Sequence, residues 1–163
     1  MVLHSIFRLW VFLPVALLLL VTGLLAFAAK KLLERPGFPP FGIIVFLAFF
    51  IFALIWLVFG ELRTKVIKVQ IEDEKVIVSN YLGLGIPKMY SLLQIDGFET
   101  TLLPSKYNMY EYLYLIQKGK KVVKLSQFYH KNFADLKNTL NEKIPNLGQK
   151  GFSLIQEVKE IFV

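Results

Sequence analysis

The chain has 163 residues, 55% of them hydrophobic, no cysteine and a formal charge of +7. That length leaves room for one domain of about 100 residues beside a pair of apolar segments, and the lack of cysteine excludes disulfides and thiolate metal sites. Basic residues lead in both halves: Arg8, Lys30, Lys31 and Arg35 against Glu34 over 1–60, then 15 Lys and Arg against 11 Asp and Glu over 61–163. This modest excess fits either simple solubility or a place near anionic headgroups.

Residues Leu9–Ala29 run for 21 positions without a charge, and Phe41–Gly60 for 20 more. Each is close to the roughly 20 residues a helix needs to cross about 30 Å of hydrocarbon. The 11 residues between them, Lys30–Pro40, hold four charges and three prolines. A transmembrane helical hairpin is predicted over residues 1–63, with spans at about 9–29 and 41–60. Trp10 and Trp56 fall on one side of such a hairpin, where indole favours the headgroup layer. Pro14 lies in the first turns, where its missing N–H costs least. Ala26-Phe27-Ala28 has the small-x-small form of a signal-peptide cleavage site, but the apolar run is longer than a signal peptide needs.

The loop offers Lys30, Lys31 and Arg35, whereas the other side offers Arg8, Arg63, Lys65 and Lys68. Four against three favours both termini in the cytoplasm. Trp10, Trp56, Arg63, Lys65 and Lys68 are the expected membrane-interface residues. Neither span holds a charge, which points to an anchor rather than an ion pathway.

From Lys65 the period becomes that of a strand. Ile67, Val69 and Ile71 alternate with polar residues, Glu72-Asp73-Glu74 turns the chain, and Lys75–Tyr81 returns. Gly83 and Gly85 break the run. Further strands are expected at Ile86–Tyr90 and Ile95–Leu102. Asp96-Gly97 reads equally as a tight turn or as the start of the latter. After the Pro104–Asn108 loop, Met109–Gln117 alternates, with Leu113 and Leu115 on one face and Tyr110, Tyr112 and Tyr114 on the other. Lys118-Gly119-Lys120 turns into Lys121–Ser126. Six strands joined by short turns form an antiparallel meander.

A helix follows. Asn132 is its N-cap, Asp135 sits in its first turn, and Phe133, Leu136, Leu140 and Ile144 share a face until Pro145 ends it. A short terminal helix, Phe152–Val163, is expected from Ile155, Val158 and Ile161, with Ser153 and Gln156 as a capping box. The fold class is therefore α+β, a hairpin followed by a soluble domain over 64–163.

The run Val122-Val123-Lys124-Leu125-Ser126-Gln127-Phe128-Tyr129, followed by Asn132-Phe133-Ala134-Asp135-Leu136, resembles the end of bacterial pleckstrin-homology-like domains. There a last strand passes through a Ser and aromatic linker into a capping helix. The whole layout resembles the YcxB-like bacterial membrane proteins, in which two transmembrane helices precede such a domain. This resemblance implies a β-meander rolled into a barrel-like shape and capped by a helix. It implies fold more than function. Phosphoinositide-binding members carry Lys and Arg in the first hairpin turn. Here that turn is Glu72-Asp73-Glu74, which repels a polyphosphorylated headgroup, so no specific phosphoinositide is expected.

No motif names a reaction. His4 and His130 cannot form a metal site within the domain. Glu72–Glu74 lacks calcium-loop spacing, Asp96 and Glu99 have nothing converging on them, and no helix follows Gly83-Leu84-Gly85 to hold phosphate. No enzyme activity, metal or cofactor is expected. Tyr110, Tyr112 and Tyr114 are the candidate partner-binding face, with packing under the terminal helix or against the bilayer as the other reading. Basic residues are not interleaved among them, which sets nucleic acid aside. The expected partners are the lipid bilayer and a protein at the membrane surface, such as a complex under assembly or a toxin to be neutralised. The alternative is an accessory subunit of a transporter or enzyme whose active residues lie on another chain.

Overall fold

The structure, a computed structural model, describes residues 2–34, 37–104, 108–153, 155 and 157. A 3-10 turn, Leu9–Val11, leads into helix α1 (Phe12–Leu33). Helix α2 (Phe41–Ile55) continues without a break as a π-helix, Trp56–Leu62. The segments Leu9–Leu33 and Phe41–Leu62 are long and apolar enough to cross a membrane. Their outward side chains are bare hydrocarbon: Leu19 is 70% exposed, Phe27 63% and Phe49 63%. Helix α1 continues past the charge-free run because Lys30 and Lys31 suit its last turn, where carbonyls carry partial negative charge. The wide turn ending the second helix is set by bonds to the fifth residue back. Arg63 N–H donates to the Val58 carbonyl (3.0 Å), and Val66 N–H to the Glu61 carbonyl (3.1 Å).

Among the described residues eight strands, one before the hairpin and seven after it, form two sheets, not one six-stranded meander. The first sheet has the order β1 (Leu3–His4), β2 (Lys68–Ile71), β3 (Lys75–Ser79) and β4 (Lys88–Ser91), all antiparallel. The second has the order β7 (Lys120–Ser126), β6 (Met109–Gln117), β5 (Gly97–Pro104) and β8 (Asn146–Lys150), with β8 parallel to β5. Helix α3 (Phe133–Lys143) inserts Phe133, Leu136 and Leu140 between Val69 and Ile71 of one sheet and Phe98, Leu113 and Leu115 of the other. Among the described residues the sheets share no ladder, so the barrel expected from the resemblance is not closed. Edge strands β4 and β7 face one another across a seam, bridged by the Tyr90 hydroxyl donating to the Val122 carbonyl at 3.5 Å.

Several local expectations shift. Asp96-Gly97 opens β5 instead of making a hairpin turn: Gly97 pairs with Ile116, and Asp96 N–H donates to the Ile116 carbonyl at 2.8 Å. Gly97 holds φ +153° where a Cβ would overlap the Pro145 carbonyl and Leu147. Only glycine therefore lets β8 lie against β5. Pro145 ends the helix as expected, but the chain then adds a strand. Lys118 and Gly119, at φ +52° and +70°, form the tight two-residue turn between β6 and β7. In the β3–β4 connection, Tyr81, Leu82 and Gly83 are successively left-handed, at φ +54°, +60° and +95°. Such backbone costs about 1–2 kcal/mol per non-glycine residue. Burial of Tyr81 and Leu82 against Val11, Leu62 and Val66 offsets it. In the terminal segment Ile155 and Glu157 are helical, and Glu157 N–H donates to the Ser153 carbonyl. Gln156, Val158 and Ile161 lie outside the described residues.

Two substitutions test this core. Leu136→Ala, at a fully buried position, is expected to cost about 2–5 kcal/mol in denaturant unfolding of the detergent-solubilised chain. Gly97→Ala should cost about 1–3 kcal/mol and speed amide exchange over 146–150 selectively. Uniform exchange change would place the strain elsewhere.

Candidate functional site

The most elaborate polar structure in the molecule lies where the apolar hairpin meets the sheets. It is built from the segment between β7 and α3, Ser126–Asn132, together with both ends of the hairpin. Arg8 N–H donates to the Tyr129 carbonyl at 2.8 Å, and Lys131 N–H to the Ile6 carbonyl at 2.7 Å. The Asn132 amide behaves like a strand partner. Its Oδ1 accepts from Ile6 N–H at 2.8 Å, while its Nδ2 donates to the His4 carbonyl at 2.8 Å. Asn132 thus stands at the N-cap position but makes no side-chain cap; its amide is committed to the N-terminal strand. On the other side, Ser5 N–H donates to the Val69 carbonyl and Val69 N–H to Ser5 Oγ.

His130 is fully buried. Its Nδ1 lies 2.9 Å from the Ser126 carbonyl oxygen and its Nε2 2.8 Å from the Ile67 carbonyl oxygen, with the Phe7 ring 5.6 Å away. A neutral imidazole has one N–H and satisfies one of these acceptors; the imidazolium satisfies both. Burial opposes the charge and outweighs the two carbonyls, so the pKa lies below the 6.5 of a free imidazole.

A chain of alternating charges runs alongside. Lys65 pairs with Glu61 at 2.6 Å and with Glu157 at 3.2 Å, and Glu157 pairs in turn with Lys124. The Tyr129 hydroxyl donates to Glu61 at 2.9 Å. Lys124 stands 4.4 Å from the Tyr112 ring centre, and Lys121 3.7 Å from that of Tyr114. Burial pushes the Lys65 ammonium down, yet Glu61, Tyr112 and Glu157 together raise it above the ordinary lysine value. Burial raises Glu157, but Lys65 and Lys124 hold it below the usual carboxylate range. The Tyr112 phenol is pushed up to about 12, mainly by burial, and Tyr129 is raised by burial and by Glu61.

The residues singled out from the sequence separate accordingly. Tyr112 and Tyr114 are 4% and 3% exposed, covered by this chain's own Lys65, Lys124 and Glu157. They are not an open platform. Tyr110 is half-buried against Phe128, edge to face at 5.1 Å, and Trp10 lies 6.0 Å from Phe128 on the same cluster. Trp10 is 57% exposed, and Trp56 is half-buried beside Phe52. Lys65 turns inward, 7% exposed, because Glu61 and Glu157 compensate its charge. Lys68 stays exposed at the start of β2, its stem against Gly83. Arg63 lies half-buried in a cleft described below. The roles of His130 and Asn132 were not readable in advance, since, Ser126 apart, their side-chain partners lie 63 to 128 positions away.

No protein-family model matches this chain, and neither the characterised proteins nor the solved structures provide a match.

Removing one member of the buried charge chain should be costly. Lys65→Met is expected to destabilise the solubilised chain by about 3 kcal/mol, with part recovered in Lys65→Met/Glu61→Gln, because an unpaired buried carboxylate is the dominant penalty. For His130, the unfolded chain binds more protons between pH 6.5 and the lowered native pKa. Its stabilising contribution is complete above 6.5 and is lost as pH falls through the native pKa, at up to about 1.4 kcal/mol per pH unit. His130→Phe should flatten this limb in a pH series of melts; Glu157, held below 4.5, acts in a lower window. An unchanged slope would exclude His130 as its source.

Proposed function

We propose that this chain is a membrane-anchored interaction module, a pleckstrin-homology-like sheet domain fixed on an apolar hairpin and presented to a protein partner at the membrane surface. The observation that carries this reading is the double attachment of the sheets to the hairpin. The N-terminal strand enters the first sheet through β2, and the second helix runs through Lys65 into the buried charge chain. A domain held at both ends cannot swing freely, so its outward surfaces keep one orientation toward the bilayer plane. That suits docking and assembly.

The hairpin reads as two membrane spans, with both ends on one face. The pairing of residues 3–8 with β2 and the 126–132 segment supports this, as does the cluster of Trp10, Phe128 and Tyr110 at the start of the first helix. The Lys and Arg count favours the cytoplasm for that face, and a bacterial inner membrane is what the resemblance in layout implies. Two outward features suit a protein partner. Leu93 is 91% exposed beside the acidic β2–β3 turn. In β8 all five residues are exposed, and among the described residues no strand pairs with its outer edge, a ready template for a partner strand.

A photo-crosslinking residue placed at Leu93, Leu147 or Tyr110 in the full chain, irradiated in native membranes, is expected to give a discrete protein adduct at one position at least. Lipid adducts alone at all three would overturn the protein-partner reading. A reporter fused at Val163 that is active only outside the cytoplasm would reverse the orientation.

A further inference from the structure

The seam between the two sheets opens into a cleft of about 660 Å³. Its walls come from the end of β3, the start of β4 and the start of β7, and its floor from the residues that leave the second apolar helix, Arg63 and Thr64. Five cations line it, Arg63, Lys88, Lys120, Lys121 and Lys124, and none of the 13 lining residues is acidic. Lys121 and Lys124 are already engaged with Tyr114 and Glu157. Among the described residues, Arg63, Lys88 and Lys120 stand without an ion-pair partner. Between the cations lie apolar surfaces of Ile67, Val78, Val122 and Val123. A cavity of this size, apolar with a few convergent charges, is typical of a small-molecule site, and the charges select an anion.

The position narrows the chemistry. Arg63 directly follows the segment Phe41–Leu62. The β3–β4 connection beside the cleft packs Tyr81 and Leu82 on the cluster of Val11, Leu62, Val66 and Tyr129, which Val15 and Leu18 of the first helix also join. It leaves Leu84 89% and Ile86 88% exposed, just before Lys88. Apolar side chains this bare, next to lipid-facing helices, suit the boundary between headgroups and acyl chains. Cations lining the seam and bare hydrocarbon on the connection that leads into Lys88 match the two halves of an anionic amphiphile.

We propose that the cleft between β4 and β7 binds the phosphate group of an anionic membrane lipid, with Arg63, Lys88 and Lys120 as the phosphate-binding cations and Leu84 and Ile86 against its acyl chains. The site differs from the acidic Glu72-Asp73-Glu74 turn, since in the β2–β3 pair Ile71 and Val76 mark the turn end and Lys68 and Ser79 the cleft end. The proposal rests on the hairpin lying in a bilayer, not on the protein-partner reading.

The test uses the full chain in a neutral detergent. Short-chain phosphatidic acid and phosphatidylglycerol are titrated and binding is read by native mass spectrometry, with glycerol 3-phosphate and inorganic phosphate as the lipid-free arms. One equivalent of anionic lipid should bind saturably. Arg63→Gln/Lys88→Gln/Lys120→Gln should weaken binding at least tenfold, while Lys131→Gln/Lys143→Gln/Lys150→Gln, an equal loss of charge elsewhere, should not. Leu84→Ser/Ile86→Ser should weaken the lipid arm only. Equal weakening by the two sets of Lys and Arg variants would overturn the site in favour of diffuse charge. Glycerol 3-phosphate binding as tightly as the lipid would assign the cleft to a soluble phosphate compound and overturn the lipid. Alkaline extraction of membranes reports the hairpin separately. A chain that is washed off overturns hairpin and lipid together; a chain that stays but binds no lipid overturns the cleft alone.

Discussion

A backbone entering or leaving an apolar helix carries polar groups that the helix itself cannot satisfy. In this molecule the second helix closes its own end, and the chain on either side of the hairpin is held by one short segment, Ser126–Asn132; the arrangement of the sheets follows from how it does so. The Tyr129 carbonyl accepts from Arg8 at the entry to the first helix, and the Asn132 amide accepts from Ile6 and donates to His4. His130 reaches the Ile67 carbonyl just before β2. The same seven residues thus bind the chain before the hairpin and the chain after it. Because α3 begins at Phe133, they also fix where the capping helix enters the core. A shift here would move the hairpin ends, the first sheet and the helix together.

The charges beside this segment are a compromise. Four ionic groups, the half-buried Glu61 and Glu157 and the buried Lys65 and Lys124, alternate in sign, and hydrogen bonds and tyrosine faces take up their remaining directions. A chain of this kind is weak evidence for stability, since an apolar replacement of the same shape often folds as well. It does specify partners. Glu61 belongs to the π-turn after the second apolar helix, Lys124 to β7 and Glu157 to the C-terminal segment. No two sit on one element except Glu61 and Lys65, which are four residues apart at the end of the helix. An apolar contact would tolerate sliding of these elements; a paired buried charge does not. The wide π-turn contributes by changing the rotation of Glu61 and Leu62 relative to an α-helical continuation, so that both face the domain.

Much of the architecture was legible because it is periodic. The two apolar runs, the alternation through Ile67, Val69 and Ile71 and the Phe133, Leu136 and Leu140 face each express a local rule that burial then honours. What was not legible was non-local or too short to show a period. Strand β1 is two residues long and exists through β2 and Asn132. Strand β8, Asn-Leu-Gly-Gln-Lys, has no strand-like alternation and is exposed throughout; it forms because Gly97 leaves room for it. The tyrosine alternation was read correctly as a common face. Whether that face is open or packed was left undecided by the alternation, since the cover over Tyr112 and Tyr114 comes from Lys65 and Glu157, 47 positions before Tyr112 and 43 after Tyr114. The same distance hid half of the pairing of Lys65: Glu61 is four positions away, but Glu157, the second carboxylate that holds it inward, lies far along the chain.

The open seam is the other consequence of how the sheets are held. Closing a barrel removes exposed edges and is the usual answer to unpaired strand backbone. Here β4 has four residues and β7 seven, and Tyr90 and Val122 meet while Lys88 and Lys120 line the open cleft. A ladder there would bring cleft cations together with no carboxylate among the cleft-lining residues, and like charges at strand-pair separation are destabilising. The cations that keep the edges apart also protect them against strand addition, because edge lysines discourage pairing. One charge pattern therefore opens the seam, guards its edges and leaves a positive cavity at the exit of the second apolar helix. The other free edge, β8, carries a single lysine, Lys150, and lacks this protection. The two edges of the second sheet are thus chemically unlike: β7 is suited to anions and β8 to backbone.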